Sequence, residues 1–400
     1  MPLSIHFYNL AEVSAALAYR ITNGDVLESL FWCNELIQSG CATDAISILF
    51  ETWVFQKGPF ALSWLISAFE LIASEEVTEE AILTSCYQLR YAGSIDHSIW
   101  HILQMTVKKI TPDRLSSKRP PMFPSDDPTE QYFITALYQH RAYTAWHISL
   151  QIPADRVWEL LDLFCKTDES IRLLKKYDML LGYRSEAYDI IILCVAVLTA
   201  CLSEKQIATS CKPVGMNQDI LTRIAEWPFG CMSARLYTIP AAGLYGTERS
   251  TYKWSDTRME ELNSVESGLI GCPYWEDALS NHAVIDKDTN TINWISDTLK
   301  ERFYQRYFPD DIPDEWTAVE KRKSHGQGLL GPREPPHTLL TYSKKYLSKT
   351  ARFTFDSMKF DDILVGLVTT PVGFVEKYIT NMEFSCKPVL PSVRRRFILA

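Results

Sequence analysis

The residues in this sequence best placed for chemistry are the carboxylates of the stretch YFPDDIPDEW, residues 307–316. All four carboxylates of the stretch lie between or beside its two prolines, and aromatic residues flank the group. The six candidate residues are Phe308, Asp310, Asp311, Asp314, Glu315 and Trp316. Carboxylates at this density could ligate a metal ion, transfer protons, cap a helix or contact a partner protein.

The stretch is typical of the start of a helix. Pro313 suits the first helical position, and the two acidic residues after it would meet the positive end of the helix dipole. Gly326 suits the end of that helix. A calcium loop would need oxygen ligands at alternating positions around a central glycine, and this pattern is absent. We therefore predict a capped helix, keep the residues from Phe308 to Trp316 as candidates for partner binding, and leave a metal or catalytic site as the remaining alternative.

Two other patterns resemble known sites without meeting their requirements. Gly326, Gly328 and Gly331 spell GxGxxG, but a dinucleotide site needs a strand before the first glycine and a helix opening at the motif. Here a basic helix is predicted before it and prolines follow, so no cofactor is predicted. His97 and His101 have the spacing of a zinc-protease helix but lack the glutamate after the first histidine. We interpret them as two partly exposed histidines.

Basic residues cluster in the last part of the chain. From residue 320 to residue 400 there are 14 Lys and Arg against 7 Asp and Glu, whereas the whole chain has a net charge of -9. The candidate basic patches are Lys321, Arg322, Lys323, Lys344, Lys345, Lys349, Arg394, Arg395 and Arg396. Aromatic residues interleave with the second patch, so contact with nucleic acid, contact with an acidic protein and an ordinary solvated surface all remain open.

Helical periodicity dominates the elements that must position these residues. The predicted fold is mainly α, an antiparallel helical bundle or short solenoid followed by an irregular, aromatic-rich C-terminal region. The predicted ranges are a helical bundle over 1–110, a Pro-rich loop or linker over 111–129, a second helical block over 130–204, an irregular α region over 205–331 that ends in the acidic-proline helix, and a basic region over 332–400. Within the irregular region a helix is predicted from Ile292 to Tyr307.

The ten cysteines form no CxxC pair, and Cys33, Cys86, Cys165, Cys194 and Cys201 lie within apolar helical patterns. They are expected to be buried thiols, which favours a reducing, intracellular compartment over a disulfide framework. The N-terminus lacks the basic leader and apolar run of a signal peptide. The longest apolar run, Ile190–Leu202, is too short to span a bilayer. We expect a buried core helix there and no membrane insertion.

Several segments together resemble a family. FYNLAEVSAALAYRITNGDVLESLFWCNELIQSG, CPYWEDAL, FYQRYFPDDIPDEW and EKRKSHGQG are similar to helical proteins of large nucleocytoplasmic DNA viruses, for which no chemistry is established. The N-terminal part also resembles in texture the helical collar of clamp loaders. The ATPase motifs of clamp loaders are missing, so the resemblance implies no ATP-driven activity.

The resemblance implies a viral setting in the cytoplasm or nucleus of an infected cell. The expected function is a non-enzymatic scaffold or adaptor that binds viral or host proteins, as an accessory factor in viral DNA replication or transcription complexes. The alternative is a structural component packaged in the virion, such as a minor capsid or internal protein. If the protein is an enzyme instead, the carboxylates from Asp310 to Glu315 are the candidates.

Overall fold

The structure is a computed structural model that describes residues 2–23, 25–57, 61–72, 77–93, 96–107, 109–122, 125–165, 172–177, 189–202, 214–228, 236–237, 239 and 265–308. The described residues are mainly helical, which confirms the predicted fold class. The helices of the first half are α1 (Leu10–Asn23), α2 (Val26–Gln38), α3 (Ala42–Thr52), a π-helical turn (Trp53–Lys57), α4 (Leu62–Ile72), α5 (Glu79–Tyr91) and α6 (Ser98–Val107). Those that follow are α7 (Pro128–Tyr138), α8 (Ala142–Ser149), α9 (Ala154–Phe164), α10 (Asp189–Ala200), α11 (Gln218–Ala225), α12 (Val265–Leu269), α13 (Pro273–Leu279) and α14 (Asp297–Tyr307).

The chain divides into two compact units that differ from the predicted ranges. Unit 1 takes its described residues from Met1–Phe50, Leu71–Tyr91 and Val214–Thr341. Unit 2 takes its described residues from Glu51–Glu70 and Ala92–Pro213. Residues of the predicted 1–110 bundle therefore belong to both units, because packing joins helices that are distant in sequence.

In unit 1, α1 and α5 both pack against α2. Asp25 begins α2 by accepting a 3.0 Å hydrogen bond from the backbone N–H of Leu27, as an N-cap residue does. Gly40 follows the end of the helix with φ +78°, and an added Cβ there would lie 2.8 Å from the Cβ of Pro273. Only glycine satisfies both requirements, so the chain turns tightly against the start of α13.

The segment of unit 1 after Val214 contains a β-hairpin that the sequence analysis missed. Strands β1 (Ala283–Asp286) and β2 (Thr291–Trp294) pair antiparallel and precede α14. The predicted helix from Ile292 to Tyr307 is therefore wrong in its first turn, because Ile292 and Trp294 alternate in a strand. The helix begins only after Ser296, whose hydroxyl accepts a hydrogen bond from the N–H of Leu299.

Unit 2 contains the helices of the second predicted block. The described residues between α6 and α7 contain neither helix nor strand. The apolar run forms α10, and its residues from Ile191 to Ala200 are buried as expected. The five cysteines expected to be buried are also buried. Among the described residues, no helix combines the length and hydropathy needed to cross a membrane.

Candidate functional site

A cluster of aromatic rings joins the N-terminal segment of unit 1 to its α13 and α14. Its buried rings, which we call the ring cluster, come from the N-terminal segment, α13, α14 and the residue after α14: Phe7, Trp275, Phe303 and Phe308. The ring of Phe7 lies 5.3 Å from that of Trp275 and 5.1 Å from that of Phe308. The Trp275 indole N–H donates a 3.0 Å hydrogen bond to the carbonyl of Ser4. Segments more than 260 residues apart in sequence are thus held together by burial of large apolar surface.

Phe308 is the one predicted partner-binding residue that the structure describes. Its side chain is 3% exposed and packs against Trp275 with a centroid distance of 5.8 Å. Phe308 therefore stabilises the unit from inside and does not present an exposed anchor. The other acidic-element candidates lie outside the described residues: Asp310, Asp311, Asp314, Glu315 and Trp316. All of the predicted basic-patch residues, Lys321 through Arg396, lie outside them as well.

The hairpin has one face on the ring cluster and one face in solvent. Ala283 is buried, and Ile285, Ile292 and Trp294 pack on the ring cluster. Val284 and Ile295 belong to the opposite face, because side chains alternate along a strand. Val284 is 63% exposed and Ile295 is 59% exposed. The Ile295 N–H donates to the carbonyl of His282 at 3.1 Å, so this pairing extends the ladder and makes Val284 and Ile295 diagonal neighbours.

Acidic residues lie close in sequence to this apolar pair. Asp286 accepts hydrogen bonds from the backbone N–H groups of Asp288 and Thr289 at 3.0 and 3.2 Å. Its pKa is lowered, first by the Thr289 hydroxyl and then by those N–H groups, so it remains a carboxylate at neutral pH. Asp288 and Asp297 are exposed. We call Val284, Ile295 and the three aspartates the hairpin surface.

The one lysine in the hairpin turn does not neutralise the three aspartates of the hairpin surface. Lys287 donates to the carboxylate of Glu276 on α13 at 2.8 Å, and the pKa of Glu276 is lowered chiefly by that contact. Its charge is thereby shared with a carboxylate outside the hairpin surface. The surface as a whole combines an apolar centre with negative charge at its border.

A buried histidine–glutamate pair lies elsewhere in unit 1. The Nδ1 atom of His6 lies 2.5 Å from a carboxylate oxygen of Glu35, and the backbone N–H of His6 donates to the other oxygen at 3.1 Å. Both side chains are almost fully buried. The Nε2 atom of His6 lies 3.2 Å from the carbonyl of Pro228, so the ring joins α2 to the segment after α11.

His97, which directly precedes α6, and His101, which belongs to α6, are both buried, so the expectation of partial exposure is wrong. His97 is 1% exposed, and His101 is 4% exposed. The Nε2 atom of His97 lies 2.9 Å from the side-chain oxygen of Gln56 in the π-helical turn. Burial lowers the pKa of His101 to about 4, so this imidazole is neutral at physiological pH. The spacing of His97 and His101 predicts that both lie on one helix face, and in the structure both side chains are buried in unit 2.

Metal chemistry has no candidate ligand set in the part of the chain that the structure describes, where no group of three or more His, Cys, Asp or Glu side chains could hold an ion. One surface that the described residues offer is the hairpin surface, which sequence reasoning missed. Its signal in the sequence was the alternation of polar and apolar residues in TINW directly after Asn290, a residue type common in hairpin turns. Searches against protein-family models, curated proteins and solved structures found no significant match for this chain.

Proposed function

We propose that the protein is a non-enzymatic, mainly α-helical scaffold or adaptor that binds a partner protein through the hairpin surface. The observation that supports this proposal is the exposed pair Val284 and Ile295 on a hairpin whose other face packs on the ring cluster. Neighbouring apolar side chains held on a rigid support favour association, because burying them releases water without ordering the backbone first.

The chemistry of the hairpin surface defines the partner. An apolar centre with a polar border is the usual anatomy of a protein interface. The border here carries Asp286, Asp288 and Asp297, so the complementary partner surface has apolar side chains surrounded by lysine or arginine. Burying the remaining exposed area of Val284 and Ile295 contributes about 2–3 kcal/mol in total, equivalent to about 30- to 150-fold in affinity.

Binding is favoured over catalysis by the use of the buried ionisable groups. His6 and Glu35 hold each other, and His97 contacts Gln56. In these positions the side chains support packing between distant segments. Exposed groups that could transfer a proton to a substrate are more useful to an enzyme than groups engaged in this way.

The proposed setting is that of a large DNA virus, as the sequence resemblance implies. In this setting the scaffold is an accessory factor in DNA replication or transcription complexes, and its partners are subunits of those complexes. A structural role in the virion is the alternative outcome of the same experiment.

The test is affinity purification from infected cells with quantitative mass spectrometry after nuclease treatment. It compares the wild type with Val284→Lys/Ile295→Lys and with Leu163→Lys, a control on α9 in unit 2 whose side chain is also exposed. Replication or transcription subunits lost with the double variant and retained with the control would support the proposal. If capsid proteins are lost with the double variant and retained with the control, the structural role in the virion is supported instead. If the wild type and both variants recover the same partners in equal amounts, the hairpin surface is rejected as the binding site.

A further inference from the structure

A lysine side chain in unit 1 lies among two aromatic rings and a carboxylate, where α12 and α14 pack against β2. The ammonium of Lys300 on α14 lies 5.7 Å from the ring centre of Trp294 and 5.7 Å from that of Tyr304. The same ammonium lies 3.3 Å from Oε1 of Glu266 on α12. Three elements thus surround one cation, and we call Glu266, Trp294 and Tyr304 the cation site.

Contacts among its own members and with the ring cluster fix the cation site. The ring of Trp294 lies 5.7 Å from that of Tyr304 and 5.3 Å from that of the buried Phe303. The hydroxyl of Tyr304 donates a hydrogen bond to Oε1 of Glu266, which orients the carboxylate. Because these groups are already ordered, a ligand that enters the site has little ordering cost to overcome.

Lys300 is held in this site only weakly. Its side chain is 39% exposed, and that of Glu266 is 35% exposed. Ion pairs and cation–π contacts at such positions contribute little, because water competes for the charges. The lysine stem is flexible, so the ammonium can move into solvent without a change in the helix backbone.

The carboxylate of Glu266 has one acceptor oxygen to spare. The Tyr304 hydroxyl and the Lys300 ammonium both contact Oε1, and Oε2 has no hydrogen-bond or ion-pair partner among the described residues. An ammonium is a point charge, whereas a guanidinium presents parallel N–H groups that match both oxygens of a carboxylate. A guanidinium also stacks flat on an aromatic ring. The chemistry of the site therefore suits arginine better than the lysine that it holds.

We propose that the cation site binds an arginine side chain of a partner protein, which displaces the ammonium of Lys300. The guanidinium stacks on Trp294 and donates to both carboxylate oxygens of Glu266. It is more weakly hydrated than an ammonium, so it leaves water at a lower cost. Lys300 is then an internal competitor that reduces the affinity of the site.

This site is separate from the hairpin surface, and a small probe tests it without the partner. The probe is Nα-acetylarginine methylamide, and the receptor is the full chain labelled with fluorotryptophan. Fluorine NMR follows the signals of the 11 tryptophans, and Trp294→Phe assigns the signal of Trp294. One side chain makes few contacts, so the dissociation constant is expected in the millimolar range.

Two related probes test the chemistry of recognition. The citrulline derivative has nearly the shape of the arginine probe but no charge, and it should leave the Trp294 signal unchanged. The lysine derivative has the charge without the planar fork, and it should bind about threefold more weakly or less tightly still.

Variants of the internal lysine test the competition. Lys300→Ala should lower the dissociation constant of the arginine probe about three- to tenfold, because the competing contacts are lost. Lys300→Gln should act in the same direction. The control Lys287→Ala removes a lysine from another exposed pair of unit 1, that with Glu276, and should change the constant by less than about twofold.

A variant of the carboxylate tests its part in binding. In the Lys300→Ala background, Glu266→Gln should raise the dissociation constant about fivefold or more, because the charge-assisted hydrogen bonds are lost. Circular dichroism checks that each variant folds.

Three outcomes would overturn the proposal. They are a Trp294 signal that the arginine probe moves in neither the wild type nor Lys300→Ala, equal affinity of the wild type and both Lys300 variants, and equal response to the arginine probe and one of the other two. None of them bears on the hairpin surface. Loss of partners with Val284→Lys/Ile295→Lys, together with an unmoved Trp294 signal, would reject the cation site and retain the proposed function.

Discussion

The buried pair of His6 and Glu35 permits a quantitative prediction about unit 1. A carbonyl can only accept a hydrogen bond, so the contact with Pro228 requires a proton on Nε2 of His6. The 2.5 Å contact between Nδ1 and Glu35 holds a second proton. We infer a coupled pair in which His6 and Glu35 share this proton. Glu35→Gln keeps the shape and one acceptor oxygen but removes the carboxylate.

The expected loss of stability is large because His6 stays buried without its partner. Breaking a buried pair by removing one partner costs about 3–5 kcal/mol. The matched control in unit 1 is Lys287→Gln, which breaks the pair with Glu276. Because the side chain of Lys287 is 67% exposed, that change should cost at most about 1 kcal/mol.

The assay is urea unfolding read by hydrogen exchange of peptides from residues 2–50, so that unit 2 does not contribute to the signal. With a urea dependence of about 2 kcal/mol per molar, Glu35→Gln should lower the midpoint by about 1.5–2.5 M. The control should lower it by about 0.5 M or less.

A double-mutant cycle with His6→Gln decides whether the two residues act as a pair. If the two residues are coupled, the double variant should lose much less than the sum of the two single losses. If Glu35→Gln stays within about 1 kcal/mol of the wild type, or if the two losses add within about 0.5 kcal/mol, the interpretation of His6 and Glu35 as a coupled pair is refuted.

Three further predictions concern the ring cluster, α6 and the turn after α2. Phe308→Ala should lower the free energy of unfolding of unit 1 by about 3–5 kcal/mol in urea titrations, because it removes a buried ring. His101 has a folded pKa of about 4, below the unfolded value of 6.5, so the unfolded chain binds the extra proton and stability falls as pH drops between these values. Between pH 7 and pH 5, the free energy of unfolding of the wild type should fall by about 2 kcal/mol more than that of His101→Gln. Urea titrations at each pH measure this difference. Gly40→Ala should lower the thermal midpoint of unit 1, since a Cβ strains the positive φ and meets Pro273.

Each of these predictions has an outcome that contradicts it. Unchanged stability with Phe308→Ala, together with lost partner binding, would restore Phe308 as an anchor. A pH dependence identical in wild type and His101→Gln would mean that the imidazole titrates normally. A thermal midpoint of Gly40→Ala equal to that of the wild type would show that the turn can relax away from Pro273.

Local sequence pattern determined the helical class of the protein and several of its elements. The segment VLESLFWCNELIQ has the apolar periodicity of a helix, and in the structure it forms α2. The apolar run of α10 and the buried cysteines follow from composition in the same way. These features depend on residues within a few turns of one another.

Tertiary packing decided which side chains are available to a partner. His97 and Phe308 carry no local signal of their burial, since the residues that cover them come from other elements. The Pro-rich segment predicted as a loop or linker is held by Gln139, more than twenty residues away from Ser116 and Lys118. Exposure and charge at a surface depend on contacts between distant segments, and a linear sequence does not specify those contacts until the chain has folded.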